Sequence, residues 1–416
     1  MVINQALALF AGVLLVLSAF SRLIQRLSLP GPVLALAAGV VIGPFGLGWL
    51  RVEDFRVPVG TLLEQASRIT LAIGLTGVAL RLPHGYWRSN LRWVVVIIGL
   101  GMALMFAVAT GILWALLGVP VLVAVLLGAI ITPTDPVVTT PIVTGSLAEE
   151  RITERVRHNL SAESGINDGA AYLFVLAPIL LITAPGTAWH ELLTTVLWWE
   201  VAAGAVFGAL AGWLLGRLFV AVRHKQWMEE SSYLGFLVPL GLVVLGAGKL
   251  LGFDAVLSVF VAAAVFGQTI PQRDEEQEDR VQDAISHLVM LPIFTLLGLA
   301  LPFDAWAGLG WITLVAVTVA VLGRRLAALW ALRPLLRRVH DVPETVFLSW
   351  FGPIGVSALF YATLAERHTG NHEIFVYVTL AITVSVVLHG ISTVPLSAWL
   401  HRREPQHKQQ HDSRSS

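Results

Sequence analysis

The sequence predicts an all-α protein that crosses a membrane about 13 times. Three observations predict it: a composition too apolar to cover a soluble surface, long runs without charge, and two apolar runs interrupted by proline. Of the 416 residues, 56% are hydrophobic and 13% charged, against about 25% charged in an ordinary soluble domain. Mean hydropathy is +0.77. The stretch from Trp93 to Thr132 carries no charged residue. About 20 apolar residues suffice to cross a bilayer. Formal net charge is zero, so no basic field for nucleic acid exists. The absence of cysteine excludes disulfides, thiolate metal sites and cysteine nucleophiles.

The apolar runs, taken in order, fall near residues 4–24, 30–50, 62–80, 92–117, 119–144, 159–184, 190–220, 232–251, 254–271, 284–301, 305–332, 344–365 and 373–399. The first has no positive residue ahead of it and no small-residue cleavage site after it, so it reads as a membrane helix rather than a removed signal. The polar stretch 401–416 reads as a disordered tail. Of the 27 Lys and Arg residues, 20 fall in connections leaving odd-numbered spans or in the tail. Five (Arg51, Arg56, Arg68, Lys249 and Arg367) fall on the other side, and Arg324 and Arg325 lie within a span. Positive charge marks the cytoplasmic side, which predicts an external N-terminus and a cytoplasmic C-terminus in the plasma (inner) membrane.

Two spans are broken. The fifth contains Thr132-Pro133-Thr134-Asp135-Pro136 and the twelfth Phe351-Gly352-Pro353-Ile354-Gly355. Proline removes a backbone donor and clashes with the preceding turn, so both helices should unwind there. Matching broken helices in two halves point to inverted repeats with a binding site at the membrane midplane; two unrelated proline kinks are the plainer alternative.

The sixth span opens with Ser161-Ala162-Glu163-Ser164-Gly165-Ile166-Asn167-Asp168-Gly169. At helical spacing Glu163 and Asn167 share one face, and Ser164 and Asp168 the adjoining one. Ionisable groups at membrane depth are expensive unless paired or wet. Asp135, Glu163 and Asp168, with Thr134, Ser164 and Asn167, suit an oxygen-lined site for a small hard cation. Asp135 beside Asn167 is expected to hold the two broken ends in register, the carboxylate at a positive end and the amide at a negative one. Asp168 is then the group free to bind a proton or a cation in turn, since each displaces the other from one carboxylate.

Arg324 is expected to pair with Glu163, because Arg favours bidentate contact with carboxylate; the alternative is that both span-eleven arginines snorkel to the interface. His158, His287 and His389 are candidate pH sensors, although helix-end histidines are usually interface residues. Lys249 reads as a snorkelling end residue, and the 14 tryptophans mostly as an interfacial belt. The charge run Gln272 to Arg280 reads as a solvated loop. His190-Glu191 lacks the second histidine of a zinc protease, and no phosphate-binding G-x-x-x-x-G-K-[ST] occurs. No enzyme activity and no cofactor beyond transported ions is expected.

Thr134-Asp135-Pro136 followed by Glu163-Ser164-x-x-Asn167-Asp168 resembles the NhaP and NHE-like sodium/proton antiporters of the cation:proton antiporter superfamily. Arg324-Arg325-Leu326-Ala327 is similar to that family's buried arginine segment, and Phe351 to Gly355 to its later glycine-proline break. The resemblance covers 1–400 and implies a homodimer in the lipid bilayer. Each protomer would have a mobile core near 92–184 and 305–399 on a dimerisation scaffold, shifting by an elevator-like movement. It implies that Asp168 binds cation and proton in turn, with Ser164, Thr134 and Glu163 at the ion or in its support, and Asp135, Asn167 and Arg324 structural. Asn167, where electrogenic relatives carry a second aspartate, implies electroneutral one-for-one exchange of Na⁺, or Li⁺, for H⁺. Ile354 stands where bacterial members often have arginine, so any role of that charge is absent. The alternatives are K⁺/H⁺ exchange on the same architecture and a cation channel, for which no Gly-Tyr-Gly filter is present. An intramembrane aspartyl protease would need G-x-G-D, also missing.

Overall fold

The computed structural model describes residues 2–26, 29–228, 233–271, 289–336 and 341–415, and among these every regular element is a helix. The chain begins with α1 (Val2–Ala19), α2 (Ser21–Arg26), α3 (Gly31–Ile42) and α4 (Val59–Leu80). Next, α5 (Tyr86–Val95) runs through a π-helical segment, Val96–Gly101, into α6 (Met102–Leu117). Then come α7 (Val121–Ile131), α8 (Pro136–Val143), α9 (Ser146–Arg151) and α10 (Glu154–Thr183). A second continuous pair follows, α11 (Ala188–Glu191) leading through π-helical Leu192–Ala203 into α12 (Gly204–His224). The rest is α13 (Tyr233–Leu250), α14 (Ala255–Thr269), α15 (Val289–Leu299), α16 (Phe303–Leu336), α17 (Val342–Trp350), α18 (Val356–Thr369) and α19 (His372–Ser415).

These helices fall on the expected apolar runs. Among the described residues, five continuous stretches are long and apolar enough to cross a bilayer: Tyr86–Leu117, Glu154–Thr183, Ala188–His224, Phe303–Leu336 and His372–Arg403. The other spans are shorter apolar helices or broken pairs. The second run is shorter than its apolar stretch, because the helix stops at Ile42 and Gly43-Pro44-Phe45-Gly46 turns the chain instead. Part of the tenth run, with the Gln272 to Arg280 loop and His287, lies outside the described residues. The backbone of the expected disordered tail continues α19 as helix to Ser415. Gly310, at φ 75°, kinks α16 near its start in a conformation that glycine takes without steric cost.

Polarity is inverted relative to a soluble protein. Trp198, Leu210, Trp213 and Leu214 are exposed, whereas Asp135, Glu163, Asp168, Arg324 and Arg325 are buried. Apolar side chains outside and charges inside suit a hydrocarbon surround. The scaffold around the site is close-packed. Gly204, Gly208, Gly212 and Gly216 form a stripe at every fourth residue of α12, and a Cβ at Gly208 or Gly212 would overlap the Ser258 or Ala262 carbonyl of α14. Small residues at this spacing let two backbones meet, and α14 in turn packs against α4 and α10.

Candidate functional site

The two proline breaks meet. The chain is unwound between α7 and α8 at residues 132–135, and between α17 and α18 at residues 351–355. The Asp135 amide donates to the Pro353 carbonyl at 2.8 Å, tying one break to the other. Four half-helix ends therefore gather in one buried place, with partial positive charge at the starts of α8 and α18 and partial negative charge at the ends of α7 and α17. Asp135 serves both positive ends: Oδ1 accepts from the Val138 amide at 3.0 Å and Oδ2 from the Ser357 amide at 3.1 Å. Gly355 makes room for this, since a Cβ there would lie 3.0 Å from Asp135 Oδ2 and 2.7 Å from Val138 Cγ2.

Arg324 serves both negative ends. Its guanidinium donates to the Thr132 carbonyl and, at 2.7 Å, to the Gly352 carbonyl. This corrects two expectations. The amide expected at a negative end, Asn167, instead donates from Nδ2 to Thr134 Oγ1 at 2.8 Å. The partner of Glu163 is Arg325, not Arg324: its two terminal nitrogens engage both Glu163 oxygens, one at 2.9 Å, and Nε donates to the Leu348 carbonyl at 2.5 Å. Neighbouring residues on a helix point about 100° apart, so one arginine turns toward the breaks and the other toward α10. With relative exposures of 0% and 1%, neither snorkels to an interface.

Asp168 is fully buried, and neither carboxylate oxygen has a hydrogen-bond partner among the described residues. The same holds for Asn167 Oδ1 and Ser357 Oγ. The Ser357 hydroxyl lies within electrostatic reach of the Asp168 carboxylate without forming a well-aligned hydrogen bond. Tyr361, one turn further along α18, donates its hydroxyl to the main-chain carbonyl of Asp168. Ser164 is also buried and donates to the Leu160 carbonyl at 2.8 Å, leaving its lone pairs free to accept. Leaving a buried polar atom without a partner costs about 1–3 kcal/mol. Four such oxygens, Asp168 Oδ1 and Oδ2, Asn167 Oδ1 and Ser357 Oγ, belong to residues at this crossing, a set suited chemically to a proton or a small hard cation.

Sequence reasoning brought together Thr134, Asp135, Glu163, Ser164, Asn167 and Asp168, and the structure places all six at or beside the crossing. It singled out both span-eleven arginines but gave the Glu163 pairing to Arg324 instead of Arg325, and it missed Ser357 and Tyr361; the pattern Gly-Pro-x-Gly-x-Ser, with a serine in the first turn after a break, was the available signal for Ser357. Of the candidate sensors, His389 is buried against the same crossing, with Nε2 3.0 Å from the Trp350 carbonyl at the end of α17 and Nδ1 2.8 Å from the Ser385 carbonyl. His158 lines a cavity of about 220 Å³ with His84, Asn90 and Arg155. Tyr86 and Asn159, bonded at 2.7 Å, also line it one turn before Glu163. Lys249 is exposed at the end of α13, and Trp49, Trp198 and Trp199 are exposed as a belt requires.

The sequence profile described as sodium/hydrogen exchanger, transmembrane, matches residues 12–399. The chain belongs to the sodium/hydrogen exchanger family. It is 27% identical to Na⁺/H⁺ antiporter 2 of Zygosaccharomyces rouxii over 93% of this chain and 52% of that protein, so the chain spans about half of that relative's length. It is 27% identical to the Na⁺/H⁺ antiporter of Schizosaccharomyces pombe over 95% of this chain and 91% of that one. A K⁺/H⁺ antiporter, NhaP2 of Shewanella sp. strain MR-4, is 26% identical over 92% of this chain and 64% of its own. Among solved structures, the sodium proton antiporter MjNhaP1 of Methanocaldococcus jannaschii at pH 8 superposes with TM-score 0.73 at 20% identity, covering 96% of this chain and 99% of the other. The exchanger fold is therefore shared along almost the whole chain.

Proposed function

We propose that this exchanger-family member is an integral membrane antiporter that trades a monovalent cation, Na⁺ or Li⁺, for H⁺ in one-for-one exchange. Asp168 holds cation and proton in turn. The observation that carries the reading is the fate of the three carboxylates at the crossing. Glu163 is committed to Arg325 and Asp135 to two helix ends, whereas both oxygens of Asp168 are buried without a partner among the described residues. Such a carboxylate is stable only with a proton or a cation on it. Ser164, Thr134 and Asn167 supply neighbouring oxygens, and Glu163, Asp135 and Arg324 hold the frame.

The alternating step is an elevator-like shift of the crossing helices, near 92–184 and 305–399, against the remaining scaffold of a homodimer. The cavity bounded by Tyr86, His158 and Asn159 is the approach from the arginine-rich side, which is cytoplasmic if positive charge marks the inside. The N-terminus is then external, in the plasma membrane. K⁺ in place of Na⁺ is a second reading, favoured by the similarity to proteins named K⁺/H⁺ antiporter NhaP2.

The test is dissipation of a pH gradient in proteoliposomes on addition of Na⁺, Li⁺ or K⁺, with and without a clamped membrane potential. A Na⁺ or Li⁺ response that ignores voltage and vanishes in Asp168→Asn is expected. A dominant K⁺ response selects the second reading. Full activity in Asp168→Asn would remove the central role of that residue.

A further inference from the structure

Many buried hydroxyls on the helices of this protein share one arrangement. Thr132 donates to the Gly128 carbonyl, Ser164 to Leu160, Ser258 to Asp254, Ser349 to Thr345 and Thr379 to Phe375, each four residues back. This is the usual way for a hydroxyl to be satisfied inside a helix. Ser357 departs from it for a structural reason. It is the second residue of α18, so the residue four back is Pro353, in the unwound stretch, and the Pro353 carbonyl accepts the Asp135 amide instead. Ser357 is fully buried, and its hydroxyl has no hydrogen-bond partner among the described residues.

The backbone fixes where that hydroxyl sits. The Ser357 amide is held at 3.1 Å by Asp135 Oδ2. One turn later Tyr361, which shares a face of α18 with Ser357, is anchored on the main-chain carbonyl of Asp168. The α18 face bearing Ser357 is therefore docked on Asp168 from one side and on Asp135 from the other. We infer that Ser357 Oγ is a ligand of the transported cation, completing the Asp168 site from the second broken helix and helping to set which monovalent cation it accepts. This rests on the exchange reading above. A neutral hydroxyl oxygen is a hard donor suited to Li⁺ or Na⁺. Because it comes from a different broken helix than Thr134, its position relative to Asp168 sets the width of the site. A serine kept only for its small volume would pack equally well as alanine.

The experiment is cation-dependent exchange in proteoliposomes with Ser357→Ala, Ser357→Thr and Ser357→Cys, measuring KM and maximal rate for Na⁺, Li⁺ and K⁺ separately. Loss of one neutral ligand is expected to raise the KM for the preferred cation in Ser357→Ala by about threefold to tenfold, and to change the KM ratios among the three cations. Ser357→Thr, which keeps the hydroxyl, should restore most of the affinity. Ser357→Cys, nearly the same size with a soft sulfur, should behave like Ser357→Ala for Na⁺. Unchanged KM values for all cations in Ser357→Ala would overturn the inference. So would a uniform fall in maximal rate with KM ratios intact, the mark of a purely structural residue. Wild-type protein that exchanges no cation would instead overturn the function proposed above, so the two failures are distinguishable.

Discussion

Replacing Arg325 by methionine keeps a long apolar stem but removes the guanidinium that holds both oxygens of Glu163 and the Leu348 carbonyl. Arg325 and Glu163 are exposed by only 1% and 2%, so water cannot take over. Removing one partner of a buried ion pair costs about 3–5 kcal/mol, because the other charge is left uncompensated. Over 416 residues, an unfolding entropy near 2.1 cal/mol/K per residue turns that into a fall in Tm of roughly 3–6 °C. The assay is thermal unfolding of detergent-purified protein, followed by tryptophan fluorescence and by the surviving gel-filtration peak. The double variant Glu163→Gln/Arg325→Met should recover much of the loss, since removing both charges is far cheaper than removing one. The bridge from Arg155 to Glu344 is the control: its arginine side chain is 49% exposed, and Arg155→Ala should shift Tm less. The reasoning fails if Arg325→Met melts with the wild type, or if the double variant falls by the sum of the two single changes.

Three further outcomes follow from the same geometry. Asp135→Ala strips the caps from α8 and α18 together, at about 1 kcal/mol each, so both Tm and exchange should fall, and Asp135→Asn, which keeps one acceptor, should be milder in both assays. Asn167→Asp places a second carboxylate beside Asp168; exchange should become sensitive to a clamped potential, read in the same proteoliposome assay, whereas voltage-independent exchange would separate position 167 from stoichiometry. Gly212→Leu forces a branched side chain against the Ala262 carbonyl and should abolish the monodisperse gel-filtration peak, while Leu210→Ala on the exposed face of α12 should leave it intact.

What was legible in the sequence is what depends on near neighbours. Apolar run length located the helices, and Pro133, Pro136 and Pro353 located both breaks, because a proline disrupts its own turn whatever surrounds it. The motif around Asp168 likewise placed its carboxylates on known faces of one helix. The partner of Glu163 was not legible. Arg324 and Arg325 are adjacent and chemically identical, and only the rotation of α16 about its axis, set by packing against distant helices, decides which one reaches α10. Ser357 escaped for a related reason. A lone serine in a helix normally bonds to its own preceding turn, and nothing local reveals that the Pro353 carbonyl it would use accepts the amide of the distant Asp135. The glycine stripe of α12 went unread, because four-residue spacing of glycines gains its meaning only from α14 lying against it.

The distribution of charge at the crossing bears directly on the proposed cycle. Asp135 offsets two positive helix ends, Arg324 offsets two negative ones, and Glu163 and Arg325 cancel each other. Each of these charges has its counterpart within the same packed unit, so moving that unit moves no net charge on their account. Asp168 alone remains. In the proposed cycle, with one proton or one monovalent cation bound, the site would carry the same net charge in either state, which would make both loaded forms equally able to cross an apolar barrier and the exchange electroneutral. With nothing bound, an uncompensated carboxylate would have to pass the same barrier at a cost of several kcal/mol. That penalty is what would couple the two fluxes: a loaded carrier shifts readily, an unloaded one rarely, and a cation moves one way only when a proton returns the other.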